Sequence, residues 1–136
     1  MADPKPVEFQ LIKDAGVAPP PDNLIASPSG AVHTDLAKIS TQGNFKRGTL
    51  LMGANDGYVP ATQAGLTTQN SFCILCDDIE LGENEYIEAA AYFTGDFHGE
   101  KVIFPFETES DDHDAIIELA REPLRKCKIF LRKMHN

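Results

Sequence analysis

Short apolar runs separated by turn residues dominate the chain from Arg47 onward. Residues 48–52 form one such run, and residues 58–61 form the next after Asn55-Asp56-Gly57. Asn, Asp and Gly tolerate the backbone conformations that tight turns require, so this stretch predicts a β-hairpin.

Three more segments continue this pattern. Residues 71–81 predict a β run closed by a turn at 82–85, and residues 86–93 and 100–106 predict two strands around a Gly-containing stretch at 94–99. Strands at this spacing are typical of sandwiches and barrels. The sequence therefore predicts a mainly β domain with one or two short helices.

One segment has the pattern of a helix. Ser110 and the acidic residues after it precede the apolar run 115–120, so Ser110 is predicted to cap a helix whose first turn is acidic. Pro123 is predicted to end or kink it. Cys127, Ile129 and Leu131 then alternate with polar or outward positions, which predicts a final strand tied into the sheet.

The first thirty residues differ from the rest, since they hold six of the nine prolines. Proline disfavours helix and central strand, so residues 1–30 are interpreted as an extended arm and residues 31–136 as a single β-rich domain. Within the arm, one small apolar group suits a strand that adds to another protein's sheet: Val7, Phe9, Leu11 and Ile12. The alternative is a disordered tail with incidental hydrophobic residues.

Composition narrows the choice of partners. A chain of 136 residues with a formal charge of −9 is one domain without the clustered positive charge that nucleic acid requires. Long apolar runs and a secretory signal are absent from the sequence, which predicts a soluble protein of a reducing, cytoplasm-like compartment with no membrane partner. Residues 77–118 hold fourteen acidic residues and one basic residue, whereas residues 121–136 hold six basic residues and one acidic residue. These regions are interpreted as solvated faces or as complementary patches between copies.

No residue pattern supports catalysis, a metal or a cofactor. Cys73 and Cys76 have the spacing of half a zinc or redox motif, but residues three apart in a strand point to opposite faces. The acidic segment 107–114 lacks the spacing of a calcium loop, and helix capping already explains its acids. His98 and His113 stand apart from any hydrolase or metalloprotease motif.

Five motifs in order carry a resemblance to a known family: RGTLL (47–51), GYVPA (57–61), CILCDDI (73–79), AYFTGDF (91–97) and KIFLR (128–132). Their order and spacing over about residues 45–132 are similar to the head decoration proteins of tailed bacteriophages, the lambda gpD-like family. Three features depart from the family pattern: Cys127-Lys128 stand in place of a small-residue-Gly pair, residues 106–114 are unusually acidic, and the arm is long.

The resemblance implies a small β-barrel or β-tulip-like fold and a non-enzymatic role without cofactors. It further implies that the protein is made in the host cytoplasm and binds the outer surface of the virion capsid as homotrimers at three-fold or quasi-three-fold sites. The arm would add β-structure to the major capsid protein and so reinforce the shell against DNA pressure. Two alternatives stay open: another virion module of a tail or connector, and a small ligand-binding or hydrolytic β-barrel that uses His98, His113 and nearby acids.

Overall fold

The computed structural model describes residues 5–6, 24–26 and 32–132 of the chain. The fold is mainly β, with a closed five-stranded barrel and one α-helix, which confirms the predicted class of small β-barrel domain. The nine strands are β1 Lys5–Pro6, β2 His33–Ile39, β3 Gly43–Phe45, β4 Leu50–Ala54, β5 Gly57–Pro60, β6 Phe72–Leu75, β7 Ile79–Leu81, β8 Glu85–His98 and β9 Ile129–Arg132. Helix α1 spans His113–Lys126, and a single 3-10 turn spans Gly99–Lys101.

The barrel closes in the order β2, β5, β4, β6, β8 and back to β2. Every neighbouring pair is antiparallel except β2 and β5, which meet in parallel at one residue pair, Ile39 and Tyr58. Gly57 permits this close approach: a Cβ there would lie 2.4 Å from the carbonyl oxygen of Lys38, and its φ of +139° disfavours other residues. The predicted hairpin is β4–β5, with Asn55 and Asp56 at its turn.

Two hydrophobic cores lie on the two faces of the barrel wall. The inner core fills the barrel with side chains from all five strands, among them Ile39, Leu51, Leu75 and Ile87. The outer core lies between the barrel wall and a layer made of α1, β9 and the segment before α1. Its members include Ile74, Phe97 and Phe104, each at most 2 % exposed. The layer therefore covers one side of the barrel and leaves the rest to solvent or to partners.

Strand β6 is buried on both faces and separates the two cores. Cys73 and Leu75 belong to the inner core, whereas Ile74 and Cys76 belong to the outer core. The alternation of a strand thus puts Cys73 and Cys76 on opposite faces, as predicted. Tyr92 and Phe93 are separated in the same way, with Tyr92 in the outer core and Phe93 beside the inner one.

Three strand predictions need correction. Residues 86–93 and 94–98 form one strand, β8, because Gly95, with a φ of +147°, stays in the strand and pairs with Ile129 of β9 instead of forming a turn. The 100–106 segment is largely not a strand: it begins in the 3-10 turn, and only Ile103 forms a bridge, to Thr49. The run 71–81 is likewise two strands, since the bend at Asp77 redirects the chain into β7, which pairs with β3.

The helix prediction is confirmed in place and corrected in its ends. Asp112 is the N-cap residue instead of Ser110, and its carboxylate accepts a hydrogen bond from the backbone N–H of Asp114 at 3.1 Å. Pro123 lies inside α1, which continues to Lys126. Although Pro123 cannot donate an N–H to the carbonyl of Leu119, it is buried on the same side of α1 as Ala120 and Leu124.

The ends of the domain are tied to β8. β9 pairs in parallel with β8 and buries Ile129 and Leu131, which confirms the predicted final strand. Near the N-terminus, Lys5–Pro6 pairs with Glu85–Tyr86, and Leu24 is a 1 % exposed member of the outer core. The predicted capsid-binding residues lie outside the described residues: Val7, Phe9, Leu11 and Ile12.

Candidate functional site

The two histidines considered for catalysis or metal binding differ in their surroundings: Nδ1 of His98 is buried and has no hydrogen-bond partner among the described residues, whereas both ring nitrogens of His113 have partners. His113, in the first turn of α1, has its Nδ1 2.9 Å from the Glu107 carboxylate and its Nε2 2.9 Å from the carbonyl oxygen of Gly99. Both partners are acceptors, so both hydrogen bonds form together only when the ring carries a proton on each nitrogen. Among the described residues, His, Cys, Asp and Glu form no group that could hold a metal ion.

The pKa of His113 agrees with this geometry. Burial lowers it, but the hydrogen bonds to Gly99 and Glu107 and the negative charges of Glu107 and Asp114 outweigh burial, so the pKa is raised. The ring also contacts Phe104 at a centroid distance of 5.4 Å. His113 therefore acts as a latch between the start of α1 and the segment 99–107, and in this state it is not available as a general base.

Cys73 and Cys76 do not have the properties of nucleophiles or ligands. Burial raises the pKa of Cys73 well above its ordinary range, and burial raises that of Cys76 to about 12. A thiol with such a pKa stays protonated at neutral pH and is inert. The side chains of the inner core, which come from all five strands, fill the interior of the barrel and leave no open channel there.

Arg47, the first residue of the RGTLL motif, holds three parts of the barrel wall together. Its guanidinium donates to the carbonyl oxygen of Cys76 at 2.9 Å and to the hydroxyl of Tyr92 at 2.7 Å. Its backbone N–H donates to the Asp78 carboxylate at 2.8 Å. The guanidinium also lies over the Tyr92 ring at 5.4 Å. This arginine therefore supports the fold at the junction of β4, β6 and β8.

The remaining candidates are surfaces. Three large apolar side chains are exposed among the described residues: Leu36 of β2 at 54 %, Leu119 of α1 at 53 % and Ile103 at 40 %. Single exposed apolar residues are common on protein surfaces, so their surroundings decide whether they mark an interface. Leu36 lies on a sheet edge that has no strand partner among the described residues, and Leu119 lies between charged residues on the outward face of α1.

Leu36 lies on an open sheet edge. β2 pairs with β8 along its whole length but meets β5 only at Ile39, so the outer edge from His33 to Ala37 has no strand partner among the described residues. The N–H of Leu36 points to this edge, where it donates to the carboxylate of Asp35 at 2.7 Å. All four residues from His33 to Leu36 are exposed. Such an edge can accept an added strand.

The charged surface is partly neutralised within the chain. Three of the C-terminal arginines pair with acids: Arg121 with Glu118 at 3.2 Å, Arg125 with Glu122 at 2.6 Å, and Arg132 with Asp96 at 3.4 Å. The separation of charge along the sequence is therefore smaller in space than the residue counts imply. Lys126 and Lys128 form no ion pair with other described residues and remain for partners.

Sequence reasoning did not identify Leu36 or Leu119 as surface residues. A signal for Leu119 existed, because the apolar positions 116, 117, 120 and 124 define one face of α1 and leave residue 119 on the opposite side. For Leu36, the alternation of side chains along β2 could be predicted from the sequence. The sequence does not show, however, that β5 pairs with only one residue of β2 and leaves most of the β2 edge open.

Comparison with protein-family models, with curated proteins and with solved structures gives no match. None of the helices in the described part of the chain has the length and apolar character needed to cross a membrane.

Proposed function

We propose that this protein is a non-enzymatic bacteriophage head decoration protein. It binds the outer surface of the mature capsid as homotrimers at three-fold or quasi-three-fold sites, with the major capsid protein as its partner. By bridging neighbouring capsid subunits, each trimer reinforces the shell against the pressure of the packed DNA. Because many identical clamps act on one lattice, a modest interface energy per copy suffices.

The ordered series of five motifs is the observation that carries this proposal. RGTLL leads into β4, GYVPA contains β5, CILCDDI begins in β6, AYFTGDF lies in β8 and KIFLR contains β9. Motifs matched in order across a single barrel support a shared framework more strongly than any one of them would alone. Function on a shared framework still depends on its surfaces.

The N-terminal segment supplies the second support. Val7, Phe9 and Leu11 alternate with polar residues, and residue 7 follows directly from the pairing of Lys5–Pro6 with β8. If residues 7–12 form the predicted strand with one apolar face, that strand is suited to adding β-structure to a capsid subunit. The exposed edge of β2 offers a second place where a capsid strand could pair.

The test is co-sedimentation of the purified protein with DNA-free heads of its phage, in expanded and unexpanded forms. We expect saturable binding to expanded shells alone, near about one copy per capsid subunit, because the site is assembled only when capsid subunits move. Absence of binding to either shell would contradict the proposal and favour a tail or connector module, for which ring assembly is the signature.

The arm is tested in the same assay with two double variants. Phe9→Ser with Leu11→Ser removes apolar side chains from the predicted strand, whereas Glu8→Ser with Gln10→Ser changes only the polar face. We expect the first variant to bind expanded shells at least about tenfold more weakly and the second to bind normally, since buried anchors carry most of an interface's energy. Equal binding by both variants would show that the arm is not the capsid contact.

A further inference from the structure

The outward face of α1 has opposite charges at its two ends and an apolar residue at its centre. Asp112, Leu119 and Lys126 are spaced seven residues apart, so they lie on one stripe of the helix surface, about 10 Å between neighbours. Ala115 and Glu122 flank Leu119 on the same side, and all five residues are exposed. An acidic end, an apolar centre and a basic end therefore follow one another along this stripe.

The charges at the two ends of the stripe have no ionic partner among the described residues. Elsewhere on α1, Glu118 pairs with Arg121 and Glu122 pairs with Arg125. Asp112 caps the helix with one carboxylate oxygen, Oδ1, and neither it nor Lys126 forms an ion pair with another described residue. The internal pairs lie at positions three residues apart, whereas the stripe places its opposite charges fourteen residues apart.

We propose that α1 pairs with α1 of a second copy across a two-fold axis that passes beside Leu119. When two such helices run antiparallel, Leu119 meets the partner's Leu119, and Asp112 of each copy faces Lys126 of the partner subunit. A two-fold contact requires one patch that is complementary to itself, and an acid–apolar–base stripe satisfies this condition only in the antiparallel arrangement. This contact is separate from the trimer and capsid contacts proposed above.

The contact is weak in dilute solution. One helix packed against another buries less than the roughly 1,000 Å² that a stable interface requires, and the two ion pairs are exposed. It forms when copies are concentrated or are held side by side on a surface, because the high local concentration then compensates for the low affinity of the contact. Its role is to link neighbouring copies laterally.

Disulfide trapping tests this contact on the full-length protein. Leu119→Cys is made in a Cys127→Ser background, which leaves only the buried Cys73 and Cys76. A residue beside a two-fold axis meets its own copy, so mild oxidation at high protein concentration should give a covalent dimer. Ile103→Cys, also exposed but off the helix, is the matched control and should cross-link at least about tenfold more slowly, because only collisions bring it together.

Charge variants of Leu119→Cys test the antiparallel direction. Lys126→Glu turns each of the two Asp112–Lys126 ion pairs between the copies into a pair of acidic residues. The repulsion should slow cross-linking about three- to tenfold, because both pairs are exposed. Adding Asp112→Asn keeps a good helix cap, removes the repulsion and should restore much of the rate. Lys128→Glu makes the same change in net charge outside α1 and should leave the rate unchanged.

Two results would overturn the proposal. The first is cross-linking of Leu119→Cys no faster than that of Ile103→Cys. The second is equal slowing by Lys126→Glu and Lys128→Glu, which would assign the effect to net charge alone. Circular dichroism of each variant establishes that the fold is intact; the half-buried Cys127 is replaced in the shared background, and the other substituted residues are exposed.

Discussion

His113→Gln should destabilise the domain in a manner that depends on pH. At low pH the charged ring donates to both Glu107 and the carbonyl of Gly99, and its side chain is only 27 % exposed. Hydrogen bonds to charged groups contribute about 1.5–3 kcal/mol, so we expect His113→Gln to cost about 2 kcal/mol near pH 6. Part of this cost, the lost contact with the Phe104 ring, does not depend on pH.

The sign of the pH dependence follows from the raised pKa of His113. The folded state binds the proton more tightly than the unfolded chain, whose histidine titrates near 6.5. The stabilisation is therefore complete below that value and is lost as the pH rises through the higher pKa of the folded state. Above it, the neutral ring has one N–H, so either Glu107 or Gly99 loses its donor.

Urea unfolding of the wild type and of His113→Gln, at steps from pH 5.5 to 9, measures this difference. With an m-value of about 2 kcal/mol/M, the midpoints should differ by about 1 M at the acidic end. The gap should narrow to about half or less at pH 9, where only an ordinary hydrogen bond and the ring contact remain. His33→Gln, on an exposed position of β2, should follow the wild type.

A constant gap between wild type and His113→Gln across this range would refute the reasoning. It would mean that His113 keeps one protonation state throughout and that its contribution is packing alone. A gap that widens as the pH rises would contradict the assigned direction of the pKa shift.

Three further substitutions test the framework by urea unfolding. Ile129→Ala should lower the free energy of unfolding by about 2–5 kcal/mol, because the side chain is fully buried under α1. The control Arg132→Ala, at an exposed position, should lower it by less than about 0.5 kcal/mol. A loss below about 1 kcal/mol for Ile129→Ala would show that β9 is not a core strand. Arg47→Met should cost about 1.5–3 kcal/mol, since the Tyr92 hydroxyl loses its charged donor, and an unchanged midpoint would remove Arg47 from the framework. Gly57→Ala should cost more than about 1 kcal/mol, because its Cβ would collide with a carbonyl of β2, and a neutral effect would contradict the tight β2–β5 seam.

Those parts of the fold that depend on local patterns could be predicted from the sequence. The β4–β5 hairpin follows from its turn residues, and the opposite directions of Cys73 and Cys76 follow from strand alternation. The burial of Ile129 and Leu131 follows from the same rule. In each case the deciding interaction lies within a few residues along the chain.

The parts that failed depend on contacts between distant segments. Gly95 looks like a turn residue, yet pairing with β9 keeps β8 extended through it. Pro123 was expected to end or kink the helix, yet α1 continues past it to Lys126 with the side chain of Pro123 buried. The latch of His113 was not predictable for the same reason, since Gly99 is fourteen residues away and its carbonyl is positioned by the 3-10 turn.

The motifs that carry the resemblance and the surfaces that could carry the function are different sets of residues. Within the motifs, most apolar side chains are buried, for example Leu51, Ile74 and Leu131. Among the described residues, the two large apolar side chains that are more than half exposed, Leu36 and Leu119, both lie outside them. The proposed resemblance therefore concerns mainly the buried framework, while the choice of partner depends on exposed side chains outside the motifs. For this reason the variants that decide the function are those of the arm and the helix stripe, and the core variants above serve to establish that the framework is intact when those surfaces are changed.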